Sequence, residues 1–136
     1  MGQVTNQFNR VQRTFMRVLD NKNRKFADYE VDVWNFLQNC WHLKDWIKND
    51  KQGVAKATRT KIEVEVNSYP ALVIVGELTH RNQHLQLTSN VAEGDGDVQP
   101  EILLTVIEQN GDEIPVKKLA TDAMKNWMAI IKKYRI

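Results

Sequence analysis

The sequence contains little cysteine, little proline and no long apolar run. Cys40 is the only cysteine in 136 residues, which excludes an internal disulfide and a thiolate metal cluster. The longest apolar run, residues 71–75, is far too short for a membrane-spanning helix, which needs about 20 residues. The polar first twenty residues contain Arg10, Arg13 and Arg17 and do not fit a signal peptide. We therefore expect a cytoplasmic protein that does not contact a membrane.

The composition indicates an ordinary globular chain. Hydrophobic residues make up 42% and charged residues 26% of the sequence, values typical of folded domains rather than of disordered or fibrous proteins. With 136 residues the chain can bury most of one core, so we expect a single domain over residues 1–136. The net charge of +2 and the isoelectric point near 8.7 permit contact with nucleic acid without requiring it.

Apolar residues that recur every three or four positions predict three long helices. They cover residues 5–20, about 28–49 and about 118–134. The core face of the second comprises Val33, Phe36, Leu37, Cys40, Leu43 and Ile47, and that of the last comprises Leu119, Ala123, Met124, Trp127, Ile130, Ile131 and Tyr134. Cys40 therefore fits a packing role better than a nucleophilic one. A further helix, apolar nearly all round, is expected to start at Pro70 and to extend to about His84.

The other segments give mixed signals. Residues 54–66 are ambiguous, because KIEVEV alternates like a strand whereas GVAKATRTKI before it is typical of a helix. Residues 88–100 lack periodicity and predict an exposed loop. Residues 102–116 predict a β-hairpin in which Asn110 and Gly111 supply the positive φ angles of a tight primed turn. The prediction is a mainly α fold, a bundle of four or five helices with a two-stranded β-hairpin inserted before the C-terminal helix.

The three histidines lie in two places, His42 on the second helix and His80 and His84 near the end of the central one. If the central helix reaches residue 84, then Glu77, His80, Arg81 and His84 share a face. A metal is not expected there, because a zincin helix has a glutamate where Arg81 stands. In metal-independent RNA cleavage, a histidine moves a proton and an arginine stabilises phosphate charge. The alternative is that these side chains only cap the helix end.

The segment around His42 permits two interpretations. In the first, Asp45 lies one turn away, orients the imidazole and stabilises its protonated form. In the second, the three tryptophans at positions 34, 41 and 46 line a core seam and His42 bonds to a neighbouring amide. On the first helix, Arg10, Arg13 and Arg17 form a stripe that either follows a nucleic-acid backbone or is a solvated face.

Three segments carry a family resemblance: VDVWNFLQNCWHLKDWIKND, ALVIVGELTHRNQHLQL and NGDEIPVKKLATDAMKNWMAII. They resemble a group of small uncharacterised prokaryotic and phage proteins and, more distantly, the HEPN superfamily. The resemblance implies an all-helical bundle, with residues 54–66 in a helix, and an RNA-cleaving toxin or defence effector that acts as a homodimer. HEPN proteins carry an arginine followed after four to six residues by a histidine. Here only two residues separate Arg81 from His84, so the spacing departs from the HEPN pattern.

Two functions from different classes remain open. The first is a HEPN-like RNA-binding or metal-independent RNA-cleaving domain of a prokaryotic or phage defence or toxin type. In it, Arg81 stabilises phosphate charge and His84 transfers a proton, helped by His42 and Asp45. The second is a non-catalytic protein-interaction module of the same fold, in which these side chains only cap and pack. Neither is expected to need a cofactor or a metal, and only the first requires His42, Arg81 and His84 to converge on solvent.

Overall fold

The computed structural model describes residues 3–80, 86–89 and 97–136, which form five helices and two small antiparallel sheets. The helices are α1 (Gln3–Leu19), α2 (Phe26–Asn49), α3 (Lys56–Val66), α4 (Pro70–Thr79) and α5 (Val116–Tyr134). The strands are β1 (Lys22–Lys25), β2 (Gln86–Ser89), β3 (Val98–Glu101), β4 (Leu104–Ile107) and β5 (Glu113–Pro115). The predicted fold class, mainly α with a hairpin before the last helix, is confirmed.

The centre of the fold is α2, which contacts each of the other four helices. All six residues predicted for its core face are buried: Val33, Phe36, Leu37, Cys40, Leu43 and Ile47. Burial raises the pKa of the Cys40 thiol to about 12, and a hydrogen bond from Trp127 offsets only part of this rise. A thiol with so high a pKa is almost wholly protonated at neutral pH, so Cys40 is a packing residue, as predicted.

The ambiguous segment is helical from Lys56 to Val66, where the family resemblance implies a helix over residues 54–66. A strand would place Ile62, Val64 and Val66 on one buried face, because side chains alternate along a strand. In α3, Ile62 and Val66 are each 1% exposed and lie one helical turn apart, whereas Val64 is 68% exposed. Contact with α2 therefore selects the helical period over the alternating one.

A carboxylate on α3 links this helix to α5. Glu65 accepts hydrogen bonds from Lys133 Nζ at 2.8 Å, from Tyr134 Oη at 2.8 Å and from Tyr69 Oη at 3.2 Å. Its side chain is 14% exposed. The hydrogen bond from Lys133 is the largest influence on this carboxyl and, with those from the two tyrosines, lowers the pKa of Glu65.

The lowered pKa predicts that Glu65 makes unfolding dependent on pH in the acid range. Because the carboxylate is favoured in the folded state, its contribution is fully present above the usual pKa and disappears as pH falls through the lowered one. We expect Glu65→Gln to be less stable than the wild type at neutral pH and to approach it as the pH falls below about 4. Urea unfolding measured from pH 3 to pH 7 tests this.

The matched control for that prediction is Glu63→Gln. The Glu63 side chain is 56% exposed and its nearest cation, Lys48, is 3.9 Å away, so this substitution should leave the pH profile unchanged. An equal change in the profiles of the two variants would contradict the assignment to Glu65.

The central helix is shorter than predicted. Pro70 occupies its first turn, as expected for a residue without a backbone N–H, but the helix ends at Thr79 and His80 follows it. The backbone N–H of His80 donates to the Gly76 carbonyl at 3.0 Å, which closes the last turn. The prediction that the helix reaches His84 is therefore wrong, and the shared face proposed for Glu77, His80, Arg81 and His84 loses its basis.

The prediction of an exposed loop at residues 88–100 is wrong at both of its described ends. β2 pairs with β4, from Gln86 opposite Ile107 to Ser89 opposite Leu104, so the hairpin is part of a three-stranded sheet. β3 pairs with β1 in a separate two-stranded sheet. Local patterns did not reveal β1 and β3, because each gains its hydrogen bonds from a partner more than 70 residues away.

A buried asparagine connects the end of α1 to the strand region. Asn21 is 2% exposed; its side-chain Nδ2 donates to the Ile102 carbonyl at 2.9 Å, and its backbone carbonyl accepts from the Ile102 backbone N–H at 2.8 Å. Lys117 Nζ donates to Asn21 Oδ1 at 3.4 Å. These bonds satisfy the polar atoms of Asn21 away from water and place residues 98–102 beside β1.

The turn between β4 and β5 differs from the predicted one. The Gly111 N–H donates to the Glu108 carbonyl at 2.9 Å, and the Glu108 N–H donates to the Asp112 carbonyl at 2.9 Å. Gly111 has a φ of 91°, but Asn110 is not among the described residues with a positive φ. The connection is therefore a three-residue loop ending in a left-handed glycine, and the predicted two-residue primed turn is wrong.

None of the helices within residues 3–80, 86–89 and 97–136 combines the length and the apolarity needed to cross a bilayer.

Candidate functional site: a polar and aromatic band on α2

A strip of polar and aromatic residues on α2 lies against the arginine-bearing side of α1. The buried Gln7 donates from Nε2 to the carbonyl of Asn39 at 3.3 Å and to its Oδ1 at 3.2 Å. Arg10 Nη1 donates to Gln7 Oε1 at 3.2 Å, and its guanidinium carbon lies 5.9 Å from the ring centroid of Trp46. His42 falls one helical turn from both Asn39 and Trp46. Contact between the helices therefore brings Arg10 to the same strip as His42.

The predicted pairing of His42 with Asp45 is present. His42 Nδ1 lies 3.1 Å from Asp45 Oδ2, and the two side chains are 55% and 44% exposed. Lys44 Nζ lies 3.5 Å from the other carboxylate oxygen of Asp45. Partial burial opposes ionisation of this carboxyl, but the hydrogen bond with His42 and the Lys44 ammonium outweigh it and lower the pKa of Asp45. The ionised carboxylate accepts the Nδ1 proton of His42 and leaves Nε2 as the second ring nitrogen of an exposed imidazole.

Next to this pair, Trp41 connects α2 to the end of α4. Its Nε1–H donates to His80 Nε2 at 3.1 Å, and the two rings meet edge to face with centroids 6.0 Å apart. Lys44 Nζ lies 4.6 Å from the Trp41 ring centroid. Nε2 of His80 is occupied as a hydrogen-bond acceptor in this arrangement. Lys44 therefore contacts both Asp45 and Trp41.

These contacts define a continuous surface feature, which we call the α2 band: Arg10, Trp46, His42, Asp45, Lys44, Trp41 and His80. It alternates cations, aromatic rings and titratable groups along one side of α2 and extends onto α1 and α4. Beyond Asp45, Arg59 on α3 adds a cation whose Nη1 donates to the Lys48 carbonyl at 2.8 Å and which lines a small pocket together with Asp45 and Lys44.

The remaining predicted site residues divide into two groups. Arg13 and Arg17 are exposed on α1, and Arg17 lies 3.8 Å from Asp32, which also binds Arg24. Arg81 and His84 lie outside the described residues. The structure thus pairs His42 with Asp45, puts Arg10 over Trp46 one turn from His42, and leaves Arg13 and Arg17 farther along the α1 stripe. Within the described ranges, no group of three or more His, Cys, Asp or Glu side chains could hold a metal ion.

Three residues of this site were not predicted from the sequence: Gln7, Lys44 and, in its contact with Arg10, Trp46. Gln7 carried a detectable signal, because it is a polar residue on the buried stripe formed by Val4, Val11 and Val18. A polar side chain at such a position needs a partner, and Asn39 provides it. The contact between Arg10 and Trp46 joins residues 36 positions apart and left no local signal.

No protein-family model, no curated protein and no solved structure matches the chain significantly. The likeness to HEPN proteins therefore stays a prediction that rests on the three sequence segments alone.

Proposed function

We propose that the protein binds single-stranded RNA along the α2 band and cleaves it without a metal ion, with His42 as the proton-transfer group. The observation that carries this proposal is the position of Arg10 over Trp46, one helical turn from the exposed His42–Asp45 pair. A phosphate-binding cation, a base-stacking ring and a proton acceptor are the three parts that such a reaction needs, and they are adjacent here.

Binding follows from the alternation of cations and aromatic rings. Single-stranded RNA is held by cations along its phosphates and by aromatic side chains that stack on unpaired bases. In the α2 band, Arg10 and Lys44 supply the cations, and Trp46 and Trp41, both half-buried, supply partly exposed rings. These groups lie on both sides of His42. The arrangement therefore favours an RNA strand that runs across the imidazole rather than one whose end lies there.

The proposed reaction uses the 2′-hydroxyl of the RNA. His42 Nε2 accepts the hydroxyl proton while Nδ1 stays bonded to Asp45, and the oxygen attacks the adjacent phosphorus. The new O2′–P bond forms as the P–O5′ bond breaks, which gives a 2′,3′-cyclic phosphate and a 5′-hydroxyl whose proton comes from water. Asp45 stabilises the imidazolium, and Arg10 stabilises the charge on the phosphate oxygens. His80 has no proton-transfer role while its Nε2 accepts from Trp41.

The family resemblance extends this proposal in two ways. It suggests a prokaryotic or phage defence or toxin protein that works as a homodimer. It also suggests that Arg81 and His84 provide a second phosphate contact and a second proton-transfer group. His80, the last described residue before them in the sequence, donates no proton to Trp41 but accepts its indole N–H at one end of the α2 band.

The test is cleavage of an unstructured RNA in EDTA by the purified protein and by His42→Ala. We expect the variant to bind the RNA and to cleave it at least 100-fold more slowly, as general-base removal usually costs 10²–10⁴-fold. Asp45→Asn should reduce the cleavage rate by a smaller factor. His84→Ala tests whether the proton-transfer group implied by the family resemblance contributes to cleavage. Cleavage by His42→Ala at the wild-type rate would refute the role of His42.

Binding is tested separately with Arg10→Ala and with Lys56→Ala as the matched control, since Lys56 is an exposed cation at the start of α3, outside the α2 band. Loss of one phosphate contact should lower the slope of log K against log salt by about 0.7 for single-stranded RNA. Lys56→Ala should change neither the affinity nor the slope. If the wild type neither binds nor cleaves RNA, the alternative function, a non-catalytic protein-interaction module, takes precedence.

A further inference from the structure

An open apolar groove of about 350 Å³ lies between α1 and α5, away from the α2 band. It is lined by Phe8 from α1 and by Met128, Ala129, Ile131 and Lys132 from α5. Met128 is 53% exposed, which is unusual for a large apolar side chain next to other apolar groups. Phe8 and Arg10 are two residues apart and so project from opposite sides of α1, which separates this groove from the proposed RNA surface.

The α5 side of the groove is basic. α5 has five lysines and one aspartate, Asp122. The three arginines of α1 lie on the side of that helix away from Phe8 and do not contribute charge to the groove. Asp122 is 2.9 Å from Lys118 and so is already paired. On the groove side of α5, Lys125 and Lys132 precede and follow Met128 by one turn, so the apolar centre lies between two cations.

The shape and the charge of the groove favour one kind of binding partner over the others. A second copy docked by a two-fold axis through the groove would place its lysines against these lysines, which is unfavourable. A bilayer surface would meet the basic rim but is too flat to fill a recess between two helices. A helix with apolar residues at i, i+3 or i+4 fills such a recess, and carboxylates beside them meet Lys125 and Lys132. We propose that the groove docks an acidic amphipathic helix of a partner protein.

The experiment is selection of a random 16-residue peptide library on the full-length protein, with Met128→Glu used for counter-selection. We expect enriched peptides to be acidic and to carry apolar residues at helical spacing. They should bind the wild type at least tenfold more tightly than Met128→Glu. Val64→Glu is the matched control, because Val64 is 68% exposed on α3 and lies outside the groove, and it should bind like the wild type.

Further measurements distinguish the other occupants. The double variant Lys125→Ala/Lys132→Ala should weaken binding of the selected acidic peptides about tenfold and reduce its salt dependence. The proposal is overturned if no enriched peptide depends on Met128, or if the dependent peptides are neutral or basic. It is also overturned if Met128→Glu abolishes a dimer seen by sedimentation, or if it abolishes binding to vesicles containing phosphatidylserine. Met128→Ser replaces Met128→Glu if the charged variant does not fold.

Discussion

Trp127→Ala is expected to lower the free energy of unfolding by about 3–5 kcal/mol. Trp127 is 0% exposed and is among the largest fully buried side chains of the described residues. It joins α5 to the centre of the fold, because its Nε1–H donates to the Cys40 carbonyl at 3.1 Å. Alanine removes the whole indole from between α5 and α2, and two helices fixed by their other contacts cannot close a cavity of that size.

The measurement is urea unfolding followed by circular dichroism at neutral pH. The free energy of unfolding of Trp127→Phe should lie between those of Trp127→Ala and the wild type, because phenylalanine keeps most of the packing but loses the hydrogen bond. Met128→Ala, at the adjacent exposed position, should change the stability by less than about 1 kcal/mol. A loss below about 1 kcal/mol for Trp127→Ala would mean that α5 does not pack on α2 through this residue.

The second large effect is expected for Gly76→Ala in α4. In most helices this substitution stabilises by up to about 1 kcal/mol, because alanine favours the helix. Here a Cβ atom at position 76 would lie 2.6–2.8 Å from three ring atoms of Trp41, Cη2, Cζ3 and Cζ2. A packed ring cannot move aside as a flexible side chain does. We therefore expect Gly76→Ala to lower the free energy of unfolding by about 1–3 kcal/mol and to displace the indole. The displaced indole would also lose its hydrogen bond to His80.

A double-mutant cycle isolates the cause of this loss. In a Trp41→Ala background the steric conflict is absent, so Gly76→Ala should be neutral or stabilising there. The Trp41 indole N–H resonance should shift in Gly76→Ala, and RNA affinity should fall if the α2 band binds RNA. Equal destabilisation of the two backgrounds by Gly76→Ala would show that α4 requires glycine for a reason other than the approach of Trp41.

Part of the site could be predicted because its contacts are local. His42 and Asp45 are three residues apart on one helix, so the apolar pattern that predicted α2 also predicted that they lie on adjacent turns. The alignment of Arg10, Arg13 and Arg17 in one stripe likewise follows from the helical period of α1. The sequence could not show that Arg10 lies over Trp46, because that contact depends on how α1 and α2 pack.

The errors in the predicted fold lie where the local sequence gives a weak signal. The helix expected to extend to about His84 ends at Thr79, and no proline or glycine between these two residues marks that end. The strands at residues 22–25 and 98–101 were missed because their residues are polar and mostly exposed. For the two strands the local sequence permits more than one conformation, and hydrogen bonds between distant segments decide between them.

The sequence by itself determined the helical class, the extents of α1, α2 and α5 to within a few residues, the core position of Cys40 and the spacing that puts Asp45 one turn from His42. Each follows from the 3.6-residue period, in which one buried face fixes the position of every other side chain on the same helix. Only the tertiary structure decided that residues 56–66 are helical, that β1 pairs with β3, and that Trp41 meets His80 across 39 residues. Those outcomes depend on which segment supplies the buried neighbour or the hydrogen-bond partner, and that choice exists only once the chain has folded.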